Sequence, residues 1–67
     1  MEPIQEAYAN ELVRDKASSL KKGSTDGKIF GITREVSDIL VEADIVLDAD
    51  TPIRIYKALI EYRNSLK

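Results

Sequence analysis

Apolar residues recur at helical intervals in three stretches of the chain. The first predicted helix covers residues 3–20, with Pro3 in its first turn. Its apolar positions are Ile4, Ala7, Tyr8, Leu12, Ala17 and Leu20. The second predicted helix covers residues 34–47, with Thr33 as its N-cap, and an end near Asp44 is the alternative. Its apolar positions are Val36, Ile39, Leu40, Ala43, Val46 and Leu47.

A third helix is predicted over residues 52–66, because Thr51 followed by Pro52 is a typical helix start. The apolar residues of this helix spread over more than half of its circumference. They are Ile55, Tyr56, Leu59, Ile60 and Tyr62. An apolar surface this wide indicates burial from more than one side, which a second subunit would provide.

The segment between the first two helices contains a turn signal and a strand candidate. The Gly, Ser, Thr and Asp residues within 21–27 predict a loop. Residues 28–33, rich in β-branched and aromatic side chains but interrupted by Gly31, predict either a short strand or a loop that tucks Phe30 into the core. Because a lone strand leaves backbone groups unpaired, the strand interpretation requires a partner strand from another molecule.

These elements predict a mostly α fold of three helices with one short strand, assembled as an obligate homodimer. A small all-α helical bundle is the alternative. The chain of 67 residues forms a single domain. Within it we distinguish an N-terminal helix or arm (residues 1–22), a loop (23–27) and a core (28–67).

The composition contains neither cysteine nor histidine, which excludes disulfides and removes the usual general base. The acidic residues Asp44, Asp48 and Asp50 lack the central glycine and following glutamate of a calcium loop. We therefore expect no enzymatic activity, no metal and no cofactor. A charged N-terminal stretch and the lack of a long apolar run predict a cytoplasmic protein that has no contact with membranes.

Charge is distributed unevenly, although the net charge is only −2. Residues 14–34 carry six basic and two acidic side chains, whereas the segments on both sides of them are net acidic. A basic middle between acidic flanks either contacts phosphate or forms an ordinary solvated face.

The order of a strand at 28–33, a helix, a turn and a helix resembles that of the ribbon-helix-helix repressors, especially those of Arc type. Arg34-Glu35-Val36 and Ile55-Tyr56 are similar to motifs in the two helices of that family. The resemblance covers residues 28–66. It implies that two copies pair their strands into an antiparallel ribbon that enters the major groove of double-stranded DNA.

The resemblance implies a small dimeric DNA-binding regulator of transcription, of the repressor or antitoxin type. Lys28 and Thr33 would approach bases, while Lys21, Lys22 and Arg34 would contact phosphates. The interface with a second copy, or with another partner, is predicted to consist of Phe30, Ile32, Ile55, Tyr56, Leu59 and Ile60.

The alternative function is a non-enzymatic helical protein-interaction module that acts as an inhibitor or adaptor. Such a module would bury its third helix in a groove of the partner protein. The acidic C-terminal half would steer it towards a basic protein surface.

Overall fold

The computed structural model describes residues 2–67, and every regular element in this part of the chain is an α-helix. The helices are α1 (Pro3–Ala17), α2 (Asp26–Glu42) and α3 (Thr51–Ser65). The predicted mostly α class is confirmed in its all-α form. The predicted strand is wrong, because residues 28–33 form the first turns of α2.

Helix α1 begins where its sequence signals place it. Glu2 and Gln5 form a capping box, in which the Glu2 backbone N–H donates to Oε1 of Gln5 over 3.2 Å, and Pro3 occupies the first turn. The helix ends three residues before the predicted end. There the hydroxyls of Ser18 and Ser19 donate to carbonyl oxygens of the last turn. These bonds satisfy backbone acceptors that a continuing helix would otherwise use.

Helix α2 begins eight residues before its predicted start. The hydroxyl of Thr25 accepts a hydrogen bond from the Lys28 backbone N–H over 3.2 Å, so Thr25, and not Thr33, is the N-cap. The buried residues then follow one helical stripe. They are Ile29, Ile32, Thr33, Val36 and Leu40. This periodic burial overrides the β propensity of the segment, and the alternative of a loop with a buried Phe30 is also wrong because that side chain is 56% exposed.

The end of α2 is a Schellman motif, which stops the helix before its predicted end. The backbone N–H of Ile45 donates to the Leu40 carbonyl oxygen, and that of Asp44 donates to the Val41 carbonyl oxygen, both over 3.0 Å. Asp44 therefore has a φ of 60°, in the left-handed region that favours glycine. The motif turns the chain so that Ile45, like Leu40, is buried in the core.

Helix α3 matches its prediction to within one residue at each end, because Pro52 marks its first turn. Near its C-terminal end, Arg63 donates to the Ser24 carbonyl oxygen over 3.1 Å and forms an ion pair with Asp26 at the start of α2. These contacts show that α2 and α3 run antiparallel.

Helix α1 packs on the other two helices, with Ala9 and Ala17 in the core. Lys28 Nζ donates to the Ser19 carbonyl oxygen over 3.2 Å, which brings the start of α2 to the end of α1. The core residues of the described chain are Ala9, Ala17, Leu20, Ile29, Ile32, Val36, Leu40, Ile45, Ile55 and Leu59. Helix α2 supplies the largest share of them and is the centre of the bundle.

Candidate docking face

A row of apolar side chains flanks the outer side of the seam between α2 and α3. Ion-pair partners identify the sides of each helix. On α2, Glu35 faces α1 through its contact with Lys16, and Asp26 faces α3 through its contact with Arg63. Phe30 and Ser37 follow Asp26 by four and eleven positions, so they lie on the same α3 side of α2, because successive residues of a helix are rotated by about 100°. The outer face comprises Phe30, Arg34, Ser37 and Val41 of α2 and Ile53, Tyr56 and Ile60 of α3.

The two halves of the outer face lie at matching heights. Moving from the Asp26–Arg63 ion pair along the antiparallel helices, one turn leads to Phe30 on α2 and to Ile60 on α3. A further turn along α3 leads to Tyr56, and the next to Ile53. On α3 these apolar residues follow one another at each turn, whereas on α2 the polar residues Arg34 and Ser37 separate Phe30 from Val41.

This surface is accessible in the folded chain. Phe30, Val41 and Ile53 are 56%, 59% and 54% exposed. Tyr56 and Ile60 are half-buried and pack on the edge of the core, so they connect the exposed side chains to the rigid interior. A partner that covers this face would remove apolar area from water without disturbing the core.

The polar residues of this region include a hydrogen-bonded serine and three charged side chains without an ion-pair partner in the described chain. Ser37 donates its hydroxyl to the Thr33 carbonyl oxygen over 2.8 Å. Arg34, Asp38 and Lys57 are exposed, and none of them takes part in an ion pair among residues 2–67. Arg34 and Asp38 follow each other by four positions and flank the apolar residues on α2.

The predicted interface residues divide into two groups. Phe30, Tyr56 and Ile60 lie on the outer face, as described above. Ile32, Ile55 and Leu59 instead belong to the core of the same chain and are at most 7% exposed. They are used inside one molecule, so they are unavailable to a partner. Val41 and Ile53 belong to the face but were missed, because neither was assigned to the apolar positions of its predicted helix.

The predicted DNA-contacting residues are also divided. Lys21, Lys22, Lys28 and Arg34 are exposed. Thr33 is 5% exposed, and its hydroxyl donates to the Ile29 carbonyl oxygen over 3.0 Å within α2. The prediction that Thr33 approaches a base is therefore inconsistent with the fold, because the side chain would first have to leave the interior.

In the folded chain, which is 35 Å long, the basic and acidic residues are concentrated at opposite ends. The end of α1, the start of α2 and the end of α3 form a basic end with Arg14, Lys16, Lys21, Lys22, Lys28, Arg63 and Lys67. The opposite end is acidic, with Glu2, Glu6, Glu42, Asp44, Asp48 and Asp50. Acidic residues near the basic end include Asp15, Asp26 and Glu61, and Glu35 pairs with Lys16, whereas Arg54 is a base at the acidic end.

A concave region lies between α1 and α3, with a volume of about 140 Å³. Its lining includes the small side chains of Ala9 and Ala58 and the polar residues Asn10, Asp48 and Arg54. Among residues 2–67, no group of three or more acidic side chains is arranged to hold a metal ion.

Over residues 2–67, none of the helices has the length and apolar character needed to cross a membrane. No family model matches the chain, and comparison with curated proteins and with solved structures finds no significant relative of either kind.

Proposed function

We propose that this chain is a non-enzymatic protein-interaction module that binds a helix of a partner protein on its outer face. The observation that carries the proposal is the row of exposed and half-buried apolar side chains along the α2–α3 seam, in a bundle whose core is already filled by other residues. A helix bound on two antiparallel helices is a common mode of recognition, in which apolar anchors at helical intervals enter the groove.

The energetic argument rests on the exposed anchors. Full burial of a Phe, Val or Ile side chain is worth about 1.5–3 kcal/mol, and more than half of each of Phe30, Val41 and Ile53 remains exposed to water. Covering them together removes this exposed apolar area from water and so favours association, and Tyr56 and Ile60 add half-buried apolar area to the same face. The proposal assigns no catalytic role, because the sequence lacks histidine, the commonest general base, and cysteine.

Site-specific photo-crosslinking tests this function in cells that naturally produce the protein. A photoreactive phenylalanine derivative replaces Phe30 in one variant and Tyr8 in a matched control, since Tyr8 is an aromatic residue of α1 with 41% exposure. We expect position 30 to form a discrete crosslink to a protein, either another copy or a different chain, and position 8 to form none. Equal labelling from both positions, or no crosslink from position 30, would contradict the proposal.

DNA binding is a second candidate function, favoured by the exposed lysines at the basic end. In this candidate the protein is a cytoplasmic regulator of repressor or antitoxin type, as the family resemblance implies. Lys21, Lys22 and Lys28 lie around the start of α2, where backbone N–H groups also favour phosphate. Because α2 replaces the strand, this contact would be directed to the DNA backbone and would carry little base recognition.

Salt dependence tests the second candidate. Three phosphate contacts would reduce the affinity for a DNA duplex roughly fortyfold between about 50 and 200 mM salt. Changing the three lysines to Glu should abolish binding, whereas Lys57→Glu, outside the basic end, should preserve most of it. No binding to any duplex at about 50 mM salt would exclude this function.

A further inference from the structure

We propose that the occupant of the outer face is a second copy of this chain, with the α2 helices of the two copies packed antiparallel about a two-fold axis. This inference rests on the proposed function and specifies its partner. The two-fold axis lies between the two α2 helices, at the level of residues 35 and 36 of each. Three independent features of α2 and of the bundle support this arrangement.

The first feature is the spacing of the exposed stripe on α2. Phe30, Arg34, Ser37 and Val41 follow one another at intervals of four, three and four residues. This order of intervals is the same in both directions, so the stripe matches itself when a second copy is turned end to end. Phe30 then meets the partner's Val41, and Arg34 meets the partner's Ser37. Apolar side chains face apolar ones, and polar side chains face polar ones.

The second feature is the pair of opposite charges near the axis. Asp38 adjoins Ser37, which brings its carboxylate within side-chain reach of the partner's Arg34. The two-fold axis produces this ion pair twice. A foreign helix with charges of one sign would attract either Arg34 or Asp38 and repel the other. A second copy carries both charges in complementary order, so it satisfies both.

The third feature is the separation of charge along the bundle. Antiparallel packing places the basic end of each copy beside the acidic end of the other, at both ends of the dimer. Parallel packing would bring like charges together. On α2 itself, Asp26 and Lys28 place opposite charges in the first turn, whereas Glu42 puts an acid at the C-terminus, where the helix macrodipole disfavours it. An antiparallel neighbour brings its basic end close to this acid.

The size of the surface is compatible with a stable dimer. A standard interface covers about 800 Å² of each partner. That area is about a sixth of the 4776 Å² that one chain exposes. The outer face spans residues 30–41 of α2 and 53–60 of α3, so the contact between two copies extends along both helices.

Measurement of mass in solution, by sedimentation equilibrium over a wide range of concentrations, tests the dimer. The full chain should sediment as twice its 7.5 kDa monomer. Phe30→Asp should raise the dissociation constant more than about hundredfold, because it places a carboxylate against the partner's Val41. The control Tyr8→Asp should leave the constant unchanged, and circular dichroism should show equal helix content in both variants. A chain that remains monomeric at millimolar concentration would overturn the inference.

A charge-swap experiment tests the antiparallel geometry. Arg34→Asp turns both ion pairs across the axis into acid–acid pairs, and Asp38→Arg turns both into base–base pairs, so each variant alone should dimerise about tenfold more weakly. Mixed together in equal amounts, the two variants form heterodimers in which both pairs across the axis have opposite charges. Native mass spectrometry should therefore show a share of heterodimers well above the half that random pairing gives. A statistical mixture from a dimeric protein would overturn this geometry.

The outcomes separate this inference from the function on which it rests. If the chain is monomeric while the photoreactive group at position 30 crosslinks a different protein, the interaction module stands and self-association fails. If position 30 crosslinks no protein and the chain is monomeric, both fail.

Discussion

Helix α2 carries two stripes of apolar residues that lie side by side and have different fates. The inner stripe, with Ile29, Val36 and Leu40, is completely buried against α1 and α3. The outer stripe, with Phe30 and Val41, leaves more than half of each side chain in water. Phe30 and Val41 are as apolar as the residues of the inner stripe, so the hydrophobicity of a single residue does not determine whether it enters the core. The difference arises from the phase of the helix relative to its neighbours.

The neighbouring residues Ile29 and Phe30 provide the strongest test of this difference. Ile29→Ala should lower the free energy of unfolding by about 2–5 kcal/mol, because it leaves a cavity at a position that is 0% exposed. Phe30→Ala should change it by less than about 0.5 kcal/mol in the monomer. Urea unfolding, monitored by circular dichroism at concentrations below those of association, measures both. The opposite ranking would show that residues 28–33 are not in this helical phase.

The N-cap of α2 provides a second test, because it determines the residue at which the helix begins. Thr25→Ala should cost about 1 kcal/mol of stability by removing the acceptor of the Lys28 N–H. Thr25→Ser retains a hydroxyl and should retain most of the stability. Amide exchange in the first turn of α2 should increase only in the alanine variant. Equal stability of all three proteins would contradict the capping role.

The other end of α2 offers a stabilising change. Asp44→Gly should raise the free energy of unfolding by roughly 0.5–1 kcal/mol, because glycine adopts a positive φ without strain and the substitution removes a negative charge from a helix C-terminus. Asp44→Asn removes the charge and tolerates the same backbone conformation, so it separates the two contributions. Thermal unfolding compares the three proteins. A loss of stability in the glycine variant would argue against the Schellman motif.

The smallest expected effect concerns the ion pair between α1 and α2. Lys16 Nζ lies 2.8 Å from Oε1 of Glu35, but both side chains remain substantially exposed. Lys16→Gln should therefore lower stability by less than about 1 kcal/mol, and high salt should reduce even this difference. Chemical unfolding at low and high salt provides the measurement. A large loss would indicate that the pair positions α1 more strongly than its exposure suggests.

The accuracy of the sequence predictions follows the strength of local signals. Helix α3 was predicted to within one residue because Thr51 and Pro52 mark its start. The start of α1 was predicted equally well from Pro3. Helix α2 was predicted to start eight residues too late, because Ile, Phe and Thr within residues 28–33 favour strands in isolation. The longer period that links Ile29 to Val36 and Leu40 determines the structure and could have been read over the full 17 residues of the helix.

The candidate site was only partly predictable for a physical reason. Phe30, Tyr56 and Ile60 were identified as interface residues, and all three lie on the outer face. Ile32 and Leu59 are equally apolar, but they fill the core. Sequence periodicity locates apolar stripes, whereas the choice between interior and surface depends on how the helices cross. The separation of charge into two ends likewise requires the antiparallel arrangement of the helices.

Two glycines near the start of α2 make the first turns of this helix easier to unfold locally than its second half. A Cβ at Gly31 would meet no atom within 4 Å, and one at Gly27 would meet only the hydroxyl of Thr25. Glycine disfavours the helical state by roughly 1 kcal/mol relative to alanine, so this segment relies on the anchoring of Ile29 and Ile32. Amide protons should consequently exchange with solvent faster before Thr33 than in the second half of α2. Brief local melting would release Phe30 together with Ile29, which makes the first turns the least durable part of the docking surface.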